Sequence, residues 1–319
     1  MTTTGDGTVR GRIVAAVDIG SNSVHLLVAR VRADEVDPLV DESVFLGLGD
    51  RVDHAEYLGA DVRAQLSNAL AGYAATAAAH GATAIGFVGT EPLRRAGDAN
   101  RLVLEVEAAT GTPLAILDHS EEALLTLLGV TGGRAIEREI VLVDVGGGSS
   151  EVVVATADAP PRAIGLPLGS ARLAARFVEH DPPQRAEIDA MRAEAAREVR
   201  RAPEAHADDL VAVGGTASNI RKAAGLEPAT PVSRAALAAA LDELLGAPAA
   251  IIAPRRGLRP QRARLLPAGI AILEALLDRY GAQQIVVVET GIREGLAIAL
   301  ARRGRRWRDC VRELVAGTG

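Results

Sequence analysis

The chain has 319 residues, of which 48% are hydrophobic, 24% charged and only 2% aromatic. The single cysteine, Cys310, excludes a disulfide framework and a cysteine-based zinc site, and no apolar run approaches the ~20 residues that span a bilayer. The formal charge of −6 argues against general nucleic-acid binding. We therefore expect a soluble, cytoplasmic protein that binds neither nucleic acid nor membrane.

Short apolar runs of strand length alternate with longer helical patterns along the chain. The strands predicted in chain order are 13–19, 24–31, 40–49, 84–89, 114–118, 140–145, 151–155, 210–214 and 284–289. Helices are predicted at 61–80, near 97–110, from Ser120 onward and in the Ala/Arg/Glu-rich stretches of the second half. Continuous Val/Ile runs between helices are typical of strands covered on both faces, so we expect an α/β architecture.

Two basic segments allow more than one interpretation. Residues 246–263 contain three prolines and several arginines, and we favour a helix connection with a solvated arginine cluster over a mobile basic loop near a site. Residues 302–310, RRGRRWRDC, would suit a nucleic-acid patch, but we favour the solvated end of the last helix because cations suit helix C-termini.

An internal repeat is the most informative feature of the sequence. The segment VDIGSNSVHLLVA (17–29) aligns without gaps on VDVGGGSSEVVVA (143–155), at a constant offset of 126 residues from 17 to 143. Each copy consists of a strand, an aspartate, a tight Gly/Ser turn and a second strand. The sequence therefore predicts two equivalent β-hairpins, one opening each half of the chain.

The composition of these turns suits phosphate. Successive backbone N–H groups in a glycine-rich turn form an anion nest, and an aspartate beside such a nest is placed to hold a divalent cation. Ordinary hairpins use the same turn-favouring residues, so one copy alone would not distinguish a phosphate-binding turn from a structural one. Two copies in phase favour the interpretation that two turns bind a phosphate chain from both sides. Neither copy matches the dinucleotide-binding or P-loop pattern, and neither is followed directly by a helix.

The hairpins resemble the phosphate motifs of the actin/Hsp70/sugar-kinase superfamily, and VAVGGTASNI (211–220) resembles its third motif. The closer resemblance is to the exopolyphosphatase/guanosine pentaphosphate phosphohydrolase (Ppx/GppA) family. Five stretches carry it, in family order: VDIGSNSVHLLVARV (17–31), GTEPLRRAGDA (89–99), HSEEALLTLLGV (119–130), VLVDVGGGSSEVVV (141–154) and GIREGL (291–296). The chain is too short for the extra C-terminal domain of long members, so it resembles the short form.

The resemblance implies a fold of two ribonuclease-H-like (actin-like ATPase) α/β domains flanking an interdomain cleft. The expected domains are residues 1–130 and 131–319, with the last helix packing on the first domain as an option. A homodimer is expected on the same basis.

The resemblance also implies roles for individual residues. Glu122 is the expected catalytic base, in the first turn of a helix capped by Ser120, and Glu121 is expected to have no catalytic role. Asp144, Glu151 and Asp18 are expected to hold Mg²⁺ or Mn²⁺. The expected phosphate-binding residues are Ser21, Asn22, Ser23, Arg94, Gly146, Gly147, Gly148, Ser149, Gly214, Gly215, Thr216 and Arg293, the last with an interdomain salt bridge as the alternative.

Two positions depart from the family pattern. His119-Ser120 replaces the usual Ser-Gly-like pair before the Glu-Glu-Ala of the third stretch, and the chain reads VVVETG up to Gly291 in place of a commoner Ser-Asp or similar pair. The first departure bears on the loop that carries Glu122, and the second bears on local metal or phosphate contacts.

The function implied is that of an exopolyphosphatase, a metal-dependent hydrolase that releases orthophosphate from the end of inorganic polyphosphate. Hydrolysis of guanosine pentaphosphate is the alternative within the family, and low aromatic content disfavours the stacking pocket it needs. Two other classes remain open: an ATP-dependent kinase of the same superfamily, and a non-enzymatic sensor of polyphosphate or alarmone if the altered His119-Ser120 loop displaces Glu122.

Overall fold

The structure is a computed structural model that describes residues 11–33 and 35–315. The elements of the first half are β1 (Arg12–Ile19), β2 (Ser23–Arg32), β3 (Glu35–Phe45), α1 (Leu48–Ala55), α2 (Ala60–Ala79), β4 (Ala84–Gly89), α3 (Glu91–Arg95), α4 (Ala99–Thr110), β5 (Leu114–Ile116) and α5 (His119–Thr131).

The second half begins with the strands β6 (Ile140–Val145), β7 (Ser150–Ala155) and β8 (Arg162–Leu166). They are followed by α6 (Ser170–Phe177), α7 (Arg185–Val199), β9 (Asp209–Val213), α8 (Gly214–Ala223), β10 (Val232–Ser233), α9 (Arg234–Leu245), α10 (Ala249–Arg255), α11 (Pro260–Ala263), α12 (Leu266–Tyr280), β11 (Gln284–Val287), α13 (Ile292–Arg303) and α14 (Trp307–Val315). A 3₁₀ turn, Gly304–Arg306, separates the last two helices.

The strands form two sheets of matching topology. The first sheet has the order β3-β2-β1-β4-β5, and the second has the order β10-β11-β9-β6-β7-β8. In each, three successive antiparallel strands adjoin parallel strands, so β6, β7, β8, β9 and β11 take the places of β1 to β5. The α/β fold class with two ribonuclease-H-like sheets is thereby confirmed, and the repeat found in the sequence corresponds to the hairpins β1-β2 and β6-β7.

Two segments differ from the sequence predictions. The predicted strand 40–49 is wrong beyond Phe45, because Gly47 adopts a left-handed conformation (φ 62°) and α1 begins at Leu48. Residues 302–310 are not the end of the last helix, since α13 ends at Arg303 and α14 follows. Trp307 and Cys310 are buried, so the apolar face of this segment packs inward while its arginines remain at the surface.

The core is aliphatic, as the low aromatic content predicts. Buried Val, Leu, Ile and Ala side chains form one cluster around each sheet, and a third cluster lies around α5 and α13. Within the described residues, no helix combines the length and the apolar character needed to cross a membrane.

Helices α5 and α13 approach closely because each presents a glycine to the other. A Cβ atom on Gly129 would overlap the carbonyl oxygen of Gly291, and a Cβ atom on Gly295 would overlap that of Leu125. Helix α13 follows the second sheet in the chain, yet it contacts β1, β2 and β4 of the first. The glycine contact therefore fixes the start of α13 against α5, where Glu122 lies.

Candidate functional site

A cleft opens where the turns of the two duplicated hairpins meet. It is lined by residues from both halves of the chain: Asp18, Gly20–Ser23, His25, Thr90, Glu91, Glu122, Asp144–Ser149, Glu151, Val213–Thr216, Arg262, Glu289 and Gly291–Glu294. All the residues expected to act in catalysis, metal binding or phosphate binding lie on this cleft, with the exception of Arg94. Arg94 contacts the cleft residue Glu122 from behind, its Nη1 donating to Oε2 at 2.6 Å.

The two hairpin turns have the same local geometry and face each other. The amide of Gly20 donates to the carbonyl of Ser23 at 3.1 Å, and the amide of Gly146 donates to that of Ser149 at 2.9 Å. A Cβ atom on Gly147 would lie 3.0 Å from Asn22 Nδ2, so the turns almost touch. Such an arrangement presents backbone N–H groups and hydroxyls from both sides of one narrow space.

The duplicated hairpins differ in the residue that faces each aspartate across the strand pair. Asp18 pairs with His25 in the first hairpin, and Asp144 pairs with Glu151 in the second. Burial lowers the pKa of His25 to about 4, with the Arg293 charge acting in the same direction. The equivalent places thus hold a neutral imidazole and a carboxyl group.

Helix α5 places Glu122 at the cleft. The helix is capped by Asp118, whose side chain accepts from the amide of Glu121 at 2.8 Å, so the prediction of Ser120 as the cap is wrong. Asp118 caps because β5 ends at Ile116, two residues earlier than predicted, and the short Asp118 carboxylate reaches the free amides. Glu121 completes the capping box and binds Arg308, while Glu122 is buried on the opposite side.

A compact cluster surrounds Glu122. His119 Nδ1 lies 2.8 Å from Glu151 Oε1, and donor atoms of His119, Glu122 and Glu151 all lie within 4.8 Å of one another. Burial raises the pKa of Glu122 and of Glu151, and their mutual proximity adds to the rise for Glu122. Burial and the neighbouring Arg94 lower the pKa of His119, which keeps the imidazole neutral and able to bind a metal near neutral pH.

Asp18 and Asp144 form the floor of the cleft. Burial raises the pKa of Asp18 to about 7, although the Arg293 charge opposes the rise, and burial raises the pKa of Asp144 to about 6. Asp18 Oδ1 is buried and finds no hydrogen-bond partner among the described residues. A buried carboxylate without a partner is costly unless a cation neutralises it, so the residues present fit a divalent metal ion.

The third glycine motif closes the cleft from the second sheet. Gly214 has a positive φ of 82°, and a Cβ atom there would overlap Asp144 Oδ1, so only glycine fits. Helix α8 begins at this residue, and Gly214, Gly215 and Thr216 of its first turn line the cleft, where an anion site at a helix N-terminus would lie. Arg293, at the start of α13, lines the cleft and also pairs with Asp41 of β3 at 2.5 Å, which is the salt bridge considered as its alternative role.

Several residues on or beside the cleft were missed as site residues from the sequence, and three of them are charged or metal-ligating groups used below. Glu91 and Arg262 line the cleft, and His119 was regarded only as a departure from the family pattern. The interpretation of 246–263 as a solvated arginine cluster is wrong for Arg262, because α10 and α11 fold that segment back so that this side chain faces the cleft. A useful indication was available in TEPLRR and DHSEEAL, where ionisable residues stand inside otherwise recognisable motifs.

The comparisons with known proteins agree with this geometry. Residues 27–303 match the Ppx/GppA phosphatase family. The chain is 28% identical to Exopolyphosphatase 1 of Mycobacterium tuberculosis over 307 residues, covering 89% of this chain and 87% of the relative. It is 27% identical to Exopolyphosphatase 1 of Mycobacterium leprae over 304 residues, covering 89% and 88%.

Solved structures show the same fold. The crystal structure of the Aquifex aeolicus member of the Ppx/GppA family superposes with a TM-score of 0.81 at 23% identity, covering 92% of this chain and 99% of that one. An exopolyphosphatase from Cytophaga hutchinsonii superposes with a TM-score of 0.78 at 18% identity, covering 91% and 98%. With the family match spanning most of the chain, the protein belongs to the Ppx/GppA phosphatase family.

Proposed function

We propose that this protein is an exopolyphosphatase that hydrolyses the terminal phosphoanhydride of inorganic polyphosphate and releases orthophosphate. The observation that supports this most is the cleft itself, in which two facing glycine turns lie beside a buried cluster of carboxylates. The names of the mycobacterial relatives point to the same substrate. None of the described residues that line the cleft is Phe, Tyr or Trp, which favours an inorganic phosphate chain over a nucleotide that stacks its base.

In this proposal the turns at Gly20–Ser23 and Gly146–Ser149 bind the terminal phosphoryl group, and Glu122 orients and deprotonates the attacking water. Phosphoryl transfer needs a positioned nucleophile and neutralised charge more than covalent chemistry. Arg94 forms an ion pair with Glu122, and its planar guanidinium also suits the phosphate oxygens of a bound substrate. Gly214–Thr216 and Arg293 line the path of the remaining chain.

We assign the metal to Asp18, Asp144 and Glu151, with Mg²⁺ as the expected ion and Mn²⁺ as the alternative. When bound there, the ion would supply positive charge that neutralises the phosphate oxygens. His119 adds an imidazole next to Glu151, and imidazole suits Mn²⁺ and other transition metals better than it suits Mg²⁺.

The metal assignment predicts a pH-dependent effect on stability. The pKa values of Asp18 and Asp144 in the folded protein lie above their ordinary value of 3.8, so protonation favours folding. The contribution of these two protonated carboxyl groups to the free energy of unfolding is fully present below about pH 4. It is lost as the pH rises through about 6 for Asp144 and about 7 for Asp18. A divalent cation should therefore raise the melting temperature more at about pH 8 than at about pH 5.

The measurement is thermal unfolding with chelator, Mg²⁺ or Mn²⁺ at both pH values. Asp144→Asn should lose most of the metal-induced rise, because it removes a proposed ligand while keeping the shape of the side chain. An equal rise at both pH values in the wild-type chain, or an unchanged rise in Asp144→Asn, would contradict the assignment.

In this proposal Arg262 also contacts the part of the polyphosphate chain that lies beyond the terminal phosphoryl group. It faces the cleft, and within the described part of the chain it has no acidic partner; burial and the nearby Arg259 lower its pKa. Arg262→Gln should raise KM for polyphosphate about tenfold with little change in kcat, since a charge-assisted hydrogen bond contributes about 1.5–3 kcal/mol. Arg264→Gln is the matched control, because that side chain is 60% exposed and lies near Asp181. Equal KM changes in both variants would exclude a specific contact.

The activity is tested by incubating the protein with metal and each candidate substrate and measuring orthophosphate. The substrates are polyphosphate of several chain lengths, guanosine pentaphosphate, and ATP with and without sugars. Release from polyphosphate supports the proposal, preferential release from guanosine pentaphosphate replaces it with the other activity of the family, and tight binding of polyphosphate without release indicates a sensor.

We propose a domain boundary near residue 130, between α5 and β6, with α13 and α14 returning to the first domain. We further propose that the protein is cytoplasmic and forms a homodimer. Light scattering of the purified protein would test the homodimer by its molar mass.

A further inference from the structure

Glu91 occupies an unexpected position for an acidic residue in a phosphate-binding cleft. It is the first residue of α3, it is only 5% exposed, and it lies between the two hairpin turns. Its Oε2 accepts a hydrogen bond from Ser21 Oγ at 3.3 Å. The same carboxylate rests against the second turn, where a Cβ atom on Gly148 would overlap it. Glu91 therefore touches both turns that are proposed to hold the terminal phosphoryl group.

Two arginines complete the surroundings of this carboxylate. Arg95 Nη1 donates to Glu91 Oε1 at 2.8 Å while its Nη2 pairs with Asp53 Oδ1 at 2.6 Å, and Arg172 Nη2 donates to the same oxygen of Glu91. Arg172 belongs to α6, which follows the second hairpin and β8, so the ion pair links the two halves of the chain. Arg172 Nε is buried and has no hydrogen-bond partner in residues 11–33 and 35–315, which leaves a donor of its guanidinium unused.

The donors around Glu91 are those that a phosphoryl group requires. A hydroxyl and two guanidinium groups bind phosphate oxygens as well as they bind carboxylate oxygens. A carboxylate and a phosphoryl group cannot share these donors, because like charges a few ångströms apart repel strongly in a buried site. One anion must leave when the other enters.

Resting on the function proposed above, we propose that Ser21, Arg95 and Arg172 form a phosphate subsite and that Glu91 competes for it from within the molecule. A phosphoryl group of the substrate displaces the Glu91 carboxylate from Arg172. A long polyphosphate contacts the whole cleft and gains enough elsewhere to displace Glu91, whereas a single orthophosphate gains little. Glu91 thus weakens the binding of the product more than it weakens the binding of the substrate.

The test measures the binding of orthophosphate to the full-length chain by titration calorimetry. Glu91→Gln keeps the size of the side chain and removes its charge, so the dissociation constant for orthophosphate should fall about tenfold, which corresponds to about 1.4 kcal/mol. Adding Arg172→Gln to Glu91→Gln should abolish this gain. Weaker binding by Glu91→Gln would overturn the proposal, since it would mean that Glu91 only holds the arginines in place.

Glu105→Gln is the matched control for a change in net charge. Glu105 pairs with Arg63 and Arg101 in the same half of the chain and does not line the cleft. A similar gain in this control would also overturn the proposal, because it would reflect bulk charge. If Glu91→Gln fails to fold, Glu91→Ser provides the same measurement with a smaller neutral side chain.

The binding test is independent of turnover. If the wild-type chain releases no orthophosphate from polyphosphate, the proposed activity fails, but the order of the orthophosphate dissociation constants still decides the role of Glu91. If it does release orthophosphate, the inhibition constant of this product should fall in Glu91→Gln by the same factor as the dissociation constant.

Discussion

Replacing Glu122 with glutamine is expected to lower kcat for orthophosphate release from polyphosphate by about 10²–10⁴-fold, the usual contribution of a general base. Glutamine retains the shape of the side chain but cannot accept the proton of the attacking water. The substrate contacts proposed at the two turns and at Arg262 remain in place. Steady-state kinetics and a separate binding titration with tripolyphosphate would show a loss of kcat with little loss of affinity.

Glu121→Gln is the natural control for this experiment. Glu121 is adjacent in the sequence, but its side chain completes the capping box with Asp118 and binds Arg308 instead of facing the cleft. Glutamine can also complete a capping box, so replacing Glu121 should cost no more than about 1 kcal/mol of stability, through the lost surface ion pair with Arg308, while kcat stays near the wild-type value. Wild-type kcat in Glu122→Gln, or an equal loss of kcat in both variants, would remove Glu122 from the mechanism.

Gly295→Ala is expected to lower the free energy of unfolding strongly, although it adds only one methyl group. The new Cβ would overlap the carbonyl oxygen of Leu125, which is backbone and cannot turn aside as a side chain would. Helices α5 and α13 must separate, so a loss of about 3 kcal/mol is expected, at the upper end of the usual cost of overpacking. Urea unfolding measures the loss directly.

Gly72→Ala is the matched control for the intrinsic effect of the same substitution. Gly72 lies in the interior of α2, is exposed, and has no atom within 4 Å of its added Cβ. Alanine is the better helix former there, so Gly72→Ala should stabilise the protein by about 0.5–1 kcal/mol. If Gly295→Ala were also neutral or stabilising, the close contact of α5 with α13 would be wrong.

Periodicity and repetition predicted most of the fold. The apolar runs at 84–89 and 140–145 coincide with β4 and β6, because the strands of such sheets are buried on both faces and their sequences are largely apolar without alternation. The gapless self-match predicted that two hairpins would have equivalent turns, and the hydrogen bonds from Gly20 and Gly146 show it. Helix boundaries were less predictable, since both Asp118 and Ser120 are suitable caps and only the path of the chain after β5 decides between them.

The missed residues depend on tertiary packing. Arg262 is one of several arginines in a proline-rich segment, and no local pattern distinguishes it from Arg259 or Arg264. Only the folding of α11 against α12 turns it towards the cleft. Glu91 was visible in the TEPLRR motif, but its contact with Arg172 joins residues 81 positions apart in the chain. Sequence spacing contains no information about such a pair unless the relative placement of the two sheets is known.

The unequal partners of Asp18 and Asp144 have a consequence for an unbranched phosphate polymer. Inorganic polyphosphate has two identical ends and no intrinsic direction, whereas the duplicated hairpins place His25 at one side of the cleft and Glu151 at the equivalent place on the other. Glu151 and Glu122 add carboxyl groups that suit metal and water beside the two aspartates, whereas His25 adds no carboxyl group and lies with Arg262 and Arg293, which suit the rest of the chain. On the proposed function, the difference between the two hairpins makes the two sides of the cleft unequal. Either end of the symmetric polymer can enter, and hydrolysis then shortens the polymer at the end that has entered.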